Sequence, residues 1–177
     1  MLGKLATEVA TGRPDLLAPP VLSALLGRPG GAADVLVAPI DPELADTAAF
    51  CAAYDVALAV SANCVVIAGK RDGAVRYAAC MVLATTRADV NGVVRRQLDV
   101  RKASFAPMAD AVELTGMEYG GITPIGLPDG WPILIDASVV AAGEVVIGSG
   151  LRQSKIVLPA AVLATLPNAE VIDGLAQ

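Results

Sequence analysis

Short apolar runs of strand length recur along the chain from Asp34 onward, separated by segments rich in charged residues, glycine and proline. Their lengths and β-branched content predict β-strands, and one more segment, Val56 to Val60, is expected to be extended. The predicted strands cover residues 35–38, 62–68, 75–83, 133–135, 145–147 and 156–158. Helices are expected between or after them, at residues 41–54, 89–98, 107–114 and 159–166.

The segment Lys70-Arg71-Asp72-Gly73 lies between two predicted strands and has the composition of a hairpin turn. A hairpin requires antiparallel pairing. The pattern therefore predicts an α+β fold with a mixed, largely antiparallel sheet surrounded by helices, and argues against a doubly wound parallel sheet. Residues 1–32 have prolines and glycines on either side of a short apolar run. We expect them to form an N-terminal extension packed on a single domain at 33–177.

The charge balance limits the partners that the chain can attract. The net charge is −5 and the isoelectric point is about 4.6, so there is no global attraction to a polyanion. Any nucleic-acid contact must therefore be local. The one concentration of positive charge is formed by Arg95, Arg96, Arg101 and Lys102. It is either a solvated helix face and loop or a local contact for tRNA.

The chain has no histidine, which excludes a histidine-based nucleophilic triad and the usual zinc sites. Cys51, Cys64 and Cys80 are odd in number and have no paired spacing, so we expect small buried side chains in a reducing compartment. Aromatic residues make up only 3% of the chain and are scattered. This argues against a stacking platform of the OB-fold or RRM type.

No stretch approaches the roughly 20 apolar residues that span a bilayer, so no membrane association is expected. Charged residues at 4, 8, 13 and 15 precede any long apolar run, which argues against a secretory signal. Together these features predict a cytoplasmic protein. They leave its oligomeric state open.

The segment Thr115 to Pro128 contains four glycines and two prolines in fourteen residues. This composition predicts a shaped loop whose backbone can approach a ligand closely, with N–H groups that could stabilise an oxyanion or hold a ribose-phosphate. The alternative is a tight connection between two elements. The spacing is neither that of a Walker loop nor that of a dinucleotide-binding fingerprint.

Three segments resemble the YbaK/prolyl-tRNA synthetase-associated family of aminoacyl-tRNA editing domains. The first is Thr115-Gly116, Gly120-Gly121, Pro124 and Gly126, followed by the apolar strand Ile133-Leu134-Ile135-Asp136. The second is Ile147-Gly148-Ser149-Gly150-Leu151-Arg152. The third is the upstream helix with Thr47, Ala48, Ala52 and Ala53, together with the strand at 62–68. The resemblance covers residues 34–173 and implies a partly barrel-like sheet.

The resemblance implies a pocket for a small aminoacyl group esterified to the tRNA 3′ end, lined by Gly120 to Pro124. A water would hydrolyse the ester with help from the substrate, so neither a metal nor an organic cofactor is implied. Positioning and oxyanion stabilisation can suffice for an activated ester. The residues assigned on this basis are, for catalysis, Gly120, Gly121 and Asp136, and, for substrate binding, Asn63, Thr115, Gly116, Ile122, Thr123, Pro124, Ser149, Gly150 and Arg152.

Three of these residues have an alternative role. Asp136 ends a strand, and it either caps the following helix or faces the pocket and binds the substrate amine. Ser149 and Arg152, together with Lys155, either meet the acceptor stem or solvate a strand edge.

Position 63 departs from the family pattern, which has a lysine on the strand after the first helix. Asn63 can hydrogen-bond a phosphate or carbonyl oxygen but supplies no positive charge. Its alternative role is a satisfied amide at a strand start or bulge. Lys70 is not expected to substitute, because seven residues along a strand span roughly 23 Å and the odd separation points its side chain to the other face.

The sequence therefore favours a trans-acting deacylase that clears a small mischarged amino acid, such as alanine or cysteine, from tRNA. Its expected partners are the aminoacyl-tRNA 3′ end and an aminoacyl-tRNA synthetase. The competing hypothesis is a binding module that kept the pocket but lost hydrolysis together with the lysine. A third is a paralogue whose pocket is filled by side chains.

Overall fold

The computed structural model describes residues 2–177, which contain nine β-strands in two sheets. The strands are β1 (Glu8–Val9), β2 (Leu36–Pro39), β3 (Ala62–Arg71), β4 (Ala74–Leu83), β5 (Ala103–Phe105), β6 (Ile133–Asp136), β7 (Glu144–Gly148), β8 (Ser154–Pro159) and β9 (Ala169–Ile172). One sheet has the order β1-β2-β8-β7 and the other β5-β3-β4-β6-β9. Neither closes into a barrel.

Five short α-helices connect or cover the strands: α1 (Pro19–Leu26), α2 (Thr47–Tyr54), α3 (Arg95–Gln97), α4 (Met108–Thr115) and α5 (Ala137–Ala141). A π-helical turn at Val90–Val94 runs into α3. Turns of 3₁₀ helix lie at Ala10–Gly12, Pro14–Leu16, Pro42–Leu44, Leu58–Val60 and Ala160–Thr165.

The five-stranded sheet is built around the long hairpin of β3 and β4, which pair from Ala62–Leu83 to Arg71–Ala74. Asp72 and Gly73 form the turn with φ of 51° and 81°, the left-handed conformation that a tight two-residue hairpin needs. β6 pairs in parallel with both β4 and β9, so the sheet is mixed. The predicted α+β class, the hairpin and the mixed pairing are confirmed.

The inner faces of the two sheets pack against each other in the largest apolar cluster. Met81 and Ile135 come from the five-stranded sheet, whereas Ile147 and Leu158 come from the four-stranded sheet. The outer face of the four-stranded sheet is covered by α2, through the buried side chain of Phe50. A bridge between Ser61 and Val146 joins the sheets at one point. This junction positions the site described below.

The first 32 residues contribute to this architecture. β1 is an edge strand that pairs with β2, and Leu16, Val21 and Leu25 are buried in the largest apolar cluster. That residues 1–32 form an N-terminal extension packed on the domain stays a prediction.

The helix expected over residues 41–54 is wrong as a single element. Asp41 caps a 3₁₀ turn by accepting from the Glu43 N–H, and Asp46 caps α2 by accepting from the Ala48 N–H. Two caps in six residues break the helix at Ala45, because each side chain competes for the backbone that a continuous helix would use.

Other elements depart from the pattern in detail. Residues 58–60 form a 3₁₀ turn instead of an extended segment, and the closing helix is a 3₁₀ helix at 160–165. The helix expected at 89–98 is capped by Asp89 but begins as a π turn. β1, β5 and β9 were not predicted, because each is only two to four residues long.

Candidate active site

A cavity of about 350 Å³ opens where the two sheets meet, between β3, β5, β7 and β8. Ala45–Thr47, at the start of α2, and Tyr119–Gly120, in the glycine-rich loop, also line it. Many lining side chains are small, among them Ala62, Ala106 and Ala111. The cavity is therefore open, which excludes a pocket filled by side chains. It is suited to a small group on the end of a larger ligand.

One wall of the cavity is formed by loop residues 119–122 packed against residues 148–151, and we call it the glycine wall. The Gly150 N–H donates to the Gly121 carbonyl at 2.7 Å, and the Glu118 N–H donates to the Gly150 carbonyl at 2.9 Å. A Cβ added at Gly148 would lie 2.5 Å from the Gly121 oxygen. The two glycine-containing segments thus occur together because their backbones touch, which side chains would prevent.

The backbone N–H groups of this wall differ in availability. The Gly121 N–H donates to the Glu118 carbonyl at 2.9 Å, and a Cβ there would lie 2.7 Å from the Leu151 backbone. Gly120 is exposed and lines the cavity with a φ of 89°. Within residues 2–177, neither the Gly120 nor the Ile122 N–H donates a hydrogen bond. Of the two glycines assigned to catalysis, only Gly120 keeps a free donor beside the cavity.

The remaining loop residues assigned from the sequence, Thr115, Gly116, Thr123 and Pro124, do not line the cavity. Thr115 is buried, donates to the Ala111 carbonyl and accepts from the Met117 N–H, while Gly116 ends α4 with a φ of 67°. Thr123 is fully buried, and its hydroxyl has no partner among the described residues. Pro124 is buried as well. Their positions support the loop, and their assignment to substrate binding stays a prediction.

Ser149 and Gly150 hold the loop from the other side. The Ser149 hydroxyl lies 2.6 Å from that of Ser154 and 3.1 Å from the Leu151 carbonyl, fully buried. A Cβ at Gly150 would lie 2.4 Å from Cβ of Ala18. Neither residue lines the cavity, so both act on it through the shape of the turn.

Asp136 is the N-cap of α5 and does not line the cavity. One carboxylate oxygen accepts from the N–H and the hydroxyl of Ser138, and the other accepts from the Ala176 N–H at 2.9 Å. Burial raises the pKa of this carboxyl, but the hydrogen bonds outweigh that effect and leave the pKa below its ordinary value. The capping alternative is therefore the one that the structure contains, and a catalytic role stays a prediction.

The facing side chains form what we call the polar wall: Asp46, Thr47, Asn63 and Lys155. Asn63 is the second residue of β3, paired with Val82 without a bulge. Its side-chain amide oxygen, Oδ1, accepts from the Thr47 hydroxyl at 2.8 Å. The amide nitrogen of Asn63 has no partner within the described part of the chain. Asp46 is exposed, and one of its carboxylate oxygens caps α2 by accepting from the Ala48 N–H.

For Lys155, the structure contradicts one of the two predicted roles, that of solvating a strand edge. Lys155 lies on β8, between β2 and β7 in the sheet interior, and only 8% of it is exposed. Its ammonium donates to the Ala45 carbonyl at 3.1 Å and lies 5.1 Å from the centre of the Phe50 ring. Burial lowers the pKa of this amine, and the nearby Arg152 guanidinium lowers it further. Lys155 therefore neither solvates a strand edge nor lies on the surface.

Arg152 connects the two walls. Its guanidinium donates to the Tyr119 carbonyl at 3.2 Å and to the Pro42 carbonyl at 3.0 Å. The arginine thus ties the glycine-rich loop to the segment that leads into α2. It positions the mouth of the cavity and does not line the cavity itself.

Two exposed aromatic side chains also line the cavity. Phe105, at the end of β5, is 65% exposed, and Tyr119 is 54% exposed. Large apolar side chains that stay open to solvent beside a pocket are suited to stacking on a ligand. Sequence interpretation missed this pair because the two residues come from different elements.

The cysteines do not supply a nucleophile. Cys64 lines the cavity, but burial raises the pKa of its thiol far above the ordinary value. Burial also raises the pKa of Cys80 to about 12 and raises that of Cys51. All three are free thiols in these surroundings, and the thiolate is the reactive form.

The basic residues separate into two groups. Arg101 and Lys102 are exposed and line a groove with Lys70 and Tyr77. This groove adjoins β5, whose last residue, Phe105, lines the cavity. Arg95 and Arg96 lie on α3, where the Arg95 side chain donates to the Asn91 carbonyl.

The model of the aminoacyl-tRNA editing domain matches residues 41–166, more than half of the chain. The chain belongs to this family. The match includes every residue that lines the cavity. At the level of the family, the activity is aminoacyl-tRNA deacylation and the class of partner is aminoacyl-tRNA. A search of curated protein sequences finds no match.

Solved structures share the fold of this editing domain. A candidate trans-editing enzyme for prolyl-tRNA synthetase is 22% identical, with a TM-score of 0.73, and the alignment covers 88% of this chain and 94% of the other. A scaffold protein from epitope backbone grafting by computational design is 21% identical, with a TM-score of 0.74 and coverages of 88% and 95%. A hypothetical protein is 19% identical, with a TM-score of 0.67 and coverages of 81% and 90%.

No helix within 2–177 is long and apolar enough to cross a membrane. In the same range, no group of three His, Cys, Asp or Glu side chains is placed to hold a metal ion.

Proposed function

We propose that this editing domain hydrolyses the ester of a small amino acid on the 3′ end of tRNA, acting in trans. The observation that carries the proposal is the small cavity at the sheet junction, with the unused Gly120 N–H on one side and polar side chains on the other. Alanine and cysteine fit the small lining residues. A cavity of about 350 Å³ has room for such an acyl group and part of the ribose.

The amino group of the substrate would bind Asp46. This carboxylate lines the cavity, is exposed, and uses only one oxygen to cap α2. Asp136 is less suited to the amine, because both its oxygens already accept hydrogen bonds outside the cavity lining. A charge-assisted hydrogen bond from the substrate ammonium would also orient the ester.

The terminal adenine would stack on the exposed rings of Phe105 and Tyr119. Stacking is tolerant of sequence and contributes about 1–3 kcal/mol per base. The preceding phosphates would follow β5 toward Arg101 and Lys102. Because the whole chain is acidic, this contact is expected to be weak and steeply dependent on salt.

In the reaction, a water attacks the acyl carbon and the bond to the ribose oxygen breaks. The ribose oxygen leaves with the proton that the water releases, and the amino acid takes the hydroxyl. The Gly120 N–H would stabilise the oxyanion that forms between these events. Donors of this kind contribute roughly 100-fold to 1,000-fold in rate.

The test is deacylation of a panel of aminoacyl-tRNAs, including alanyl- and cysteinyl-tRNA-Pro, by the purified protein. We expect clearance of at least one small aminoacyl group above spontaneous hydrolysis. Phe105→Ala should slow it, whereas the exposed Leu26→Ala, remote from the cavity lining, should not. A folded protein that clears no member of the panel would contradict the proposal and favour the binding module, for which the absence of a lysine at position 63 is the supporting observation.

A further inference from the structure

Position 63 leaves the polar wall without a cation on β3, yet the cavity contains one. Lys155 reaches it from β8, on the other sheet, and lines it together with Asn63. Both residues are tied to the segment that starts α2, Lys155 through the Ala45 carbonyl and Asn63 through the Thr47 hydroxyl. The helix break at Ala45 makes that carbonyl available to the lysine.

The burial of Lys155 indicates which part of a substrate it meets. Its ammonium lies deep, over the Phe50 ring, whereas the exposed rings of Phe105 and Tyr119 mark the mouth. A phosphate would stay near the mouth, in water. The acyl end of the substrate must enter furthest, so the group nearest the ammonium is the ester carbonyl.

The hydrogen bonds of Lys155 leave capacity for a ligand. An ammonium has three N–H donors, and among the described residues only the Ala45 carbonyl accepts from this one. A buried cation with unused donors is costly unless a further acceptor completes its surroundings. An ester oxygen entering the cavity would be such an acceptor.

We propose that Lys155 is a catalytic residue of this editing domain, whose ammonium donates to the ester carbonyl oxygen and stabilises its negative charge as water attacks. The proposal rests on the proposed function and deepens it. The lysine remains protonated throughout, so the water's proton still goes to the ribose oxygen and the hydroxyl to the acyl carbon. The positive charge that Asn63 lacks is thus supplied from the neighbouring sheet.

The first experiment compares Lys155→Met with the wild type and with Lys4→Met, an exposed lysine outside the cavity lining. Two readouts are measured: deacylation of the best substrate and binding of an amide-linked analogue, 3′-alanylamino-3′-deoxyadenosine. We expect Lys155→Met to lower kcat/KM roughly 100-fold, the size of effect found for a single oxyanion donor. Binding of the analogue should weaken about tenfold, because a ground-state carbonyl accepts a weaker bond.

The second experiment adds Asn63→Lys to Lys155→Met, which returns a cation to the same cavity from β3. A recovery of at least about tenfold in kcat/KM is expected, since an ammonium on either strand can reach the acyl end. No recovery would overturn the claim that the Lys155 charge takes the place of a lysine at position 63. A Lys155→Met variant within about twofold of the wild type in both readouts would overturn the catalytic assignment itself.

The two readouts separate the failure of this inference from that of the proposed function. If the wild type binds the analogue but hydrolyses nothing, deacylation fails, and loss of binding in Lys155→Met still supports the lysine contact. If the wild type neither binds nor hydrolyses, both are overturned.

Should Lys155→Met not fold, the pH profile of Lys155→Arg decides. The titratable groups around Lys155 are the charged Asp46 and Arg152 and the neutral Cys51 thiol. Activity requires the protonated amine, so kcat/KM of the wild type should fall as pH rises through a pKa below that of an ordinary lysine. Lys155→Arg should move this fall to higher pH, and Cys51→Ala should leave it in place. An unmoved fall in Lys155→Arg would overturn the assignment.

Discussion

The two walls of the cavity are built in different ways. The glycine wall is backbone packed on backbone, with Gly148 so close to the Gly121 carbonyl that no Cβ fits between them. The polar wall consists of side chains from α2, β3 and β8 that meet through single hydrogen bonds. The difference predicts that changes in the glycine wall cost stability, whereas changes in the polar wall cost activity and leave the fold intact.

The strongest way to break this comparison is Gly148→Val. Its Cβ would lie 2.5 Å from one carbonyl oxygen and 2.7 Å from the next, and neither backbone group can move without shifting the loop. We expect a loss of about 3 kcal/mol in the free energy of unfolding, at the upper end of overpacking costs. Chemical denaturation measures it, with Gly12→Ala as control, because nothing lies within 4 Å of that position. Equal stabilities would show that the wall is not packed as described.

A smaller effect is expected at Asp136, which belongs to neither wall. Its folded pKa lies below the ordinary value of about 3.9, so its contribution to stability is complete above that pH and is lost as pH falls through the folded pKa. Asp136→Asn should lower the unfolding free energy by about 1–2 kcal/mol at pH 7, because the Ala176 N–H loses its acceptor.

The difference between Asp136→Asn and the wild type should shrink as the pH falls below about 4. Deacylation by the folded variant at pH 7 should stay within about twofold of the wild type. A drop in kcat/KM of roughly 100-fold, the size expected of a catalytic group, would return Asp136 to the catalytic machinery.

The finest distinction within the polar wall is made at Asp46, where Asn and Ala separate two roles. Asn keeps the cap of α2 but removes the charge, so it should raise KM about tenfold with little change in stability. Ala removes both and should also lower the unfolding free energy by about 1 kcal/mol. Steady-state deacylation and thermal unfolding of the two variants measure this. An unchanged KM in Asp46→Asn would move the substrate amine elsewhere.

The sequence predicted the segments of the glycine wall but not the arrangement of the polar wall, for a physical reason. Glycine is required at the position itself, by a positive φ at Gly120 and Gly150 and by close backbone contact at Gly148, so all three could be recognised along the chain. The role of Lys155 depends on which carbonyl faces it across the fold. The Ala45 carbonyl is free to accept from Lys155 only because the helix breaks at Ala45, between two capping aspartates. Neither fact is visible from the lysine and its neighbours.

Asn63 shows how far the sequence could go. Its amide could be recognised as a departure in an apolar strand, and it does line the cavity. Its partner Thr47, sixteen residues earlier, follows from the packing of α2 against the sheet junction. The exposed pair of Phe105 and Tyr119 was missed because the two residues come from different elements. In addition, β5 is a three-residue strand without a hydrophobic pattern of its own.

The central claim is that the ester is hydrolysed inside the cavity at the sheet junction. It is tested most directly by adding the amide-linked alanyl analogue to the deacylation reaction and measuring the rate over a range of substrate concentrations. Hydrolysis in the cavity predicts competitive inhibition, with a raised KM, an unchanged kcat, and weaker inhibition of Phe105→Ala than of the wild type. An analogue that binds the protein without slowing deacylation would contradict the account, because the chemistry would then take place elsewhere.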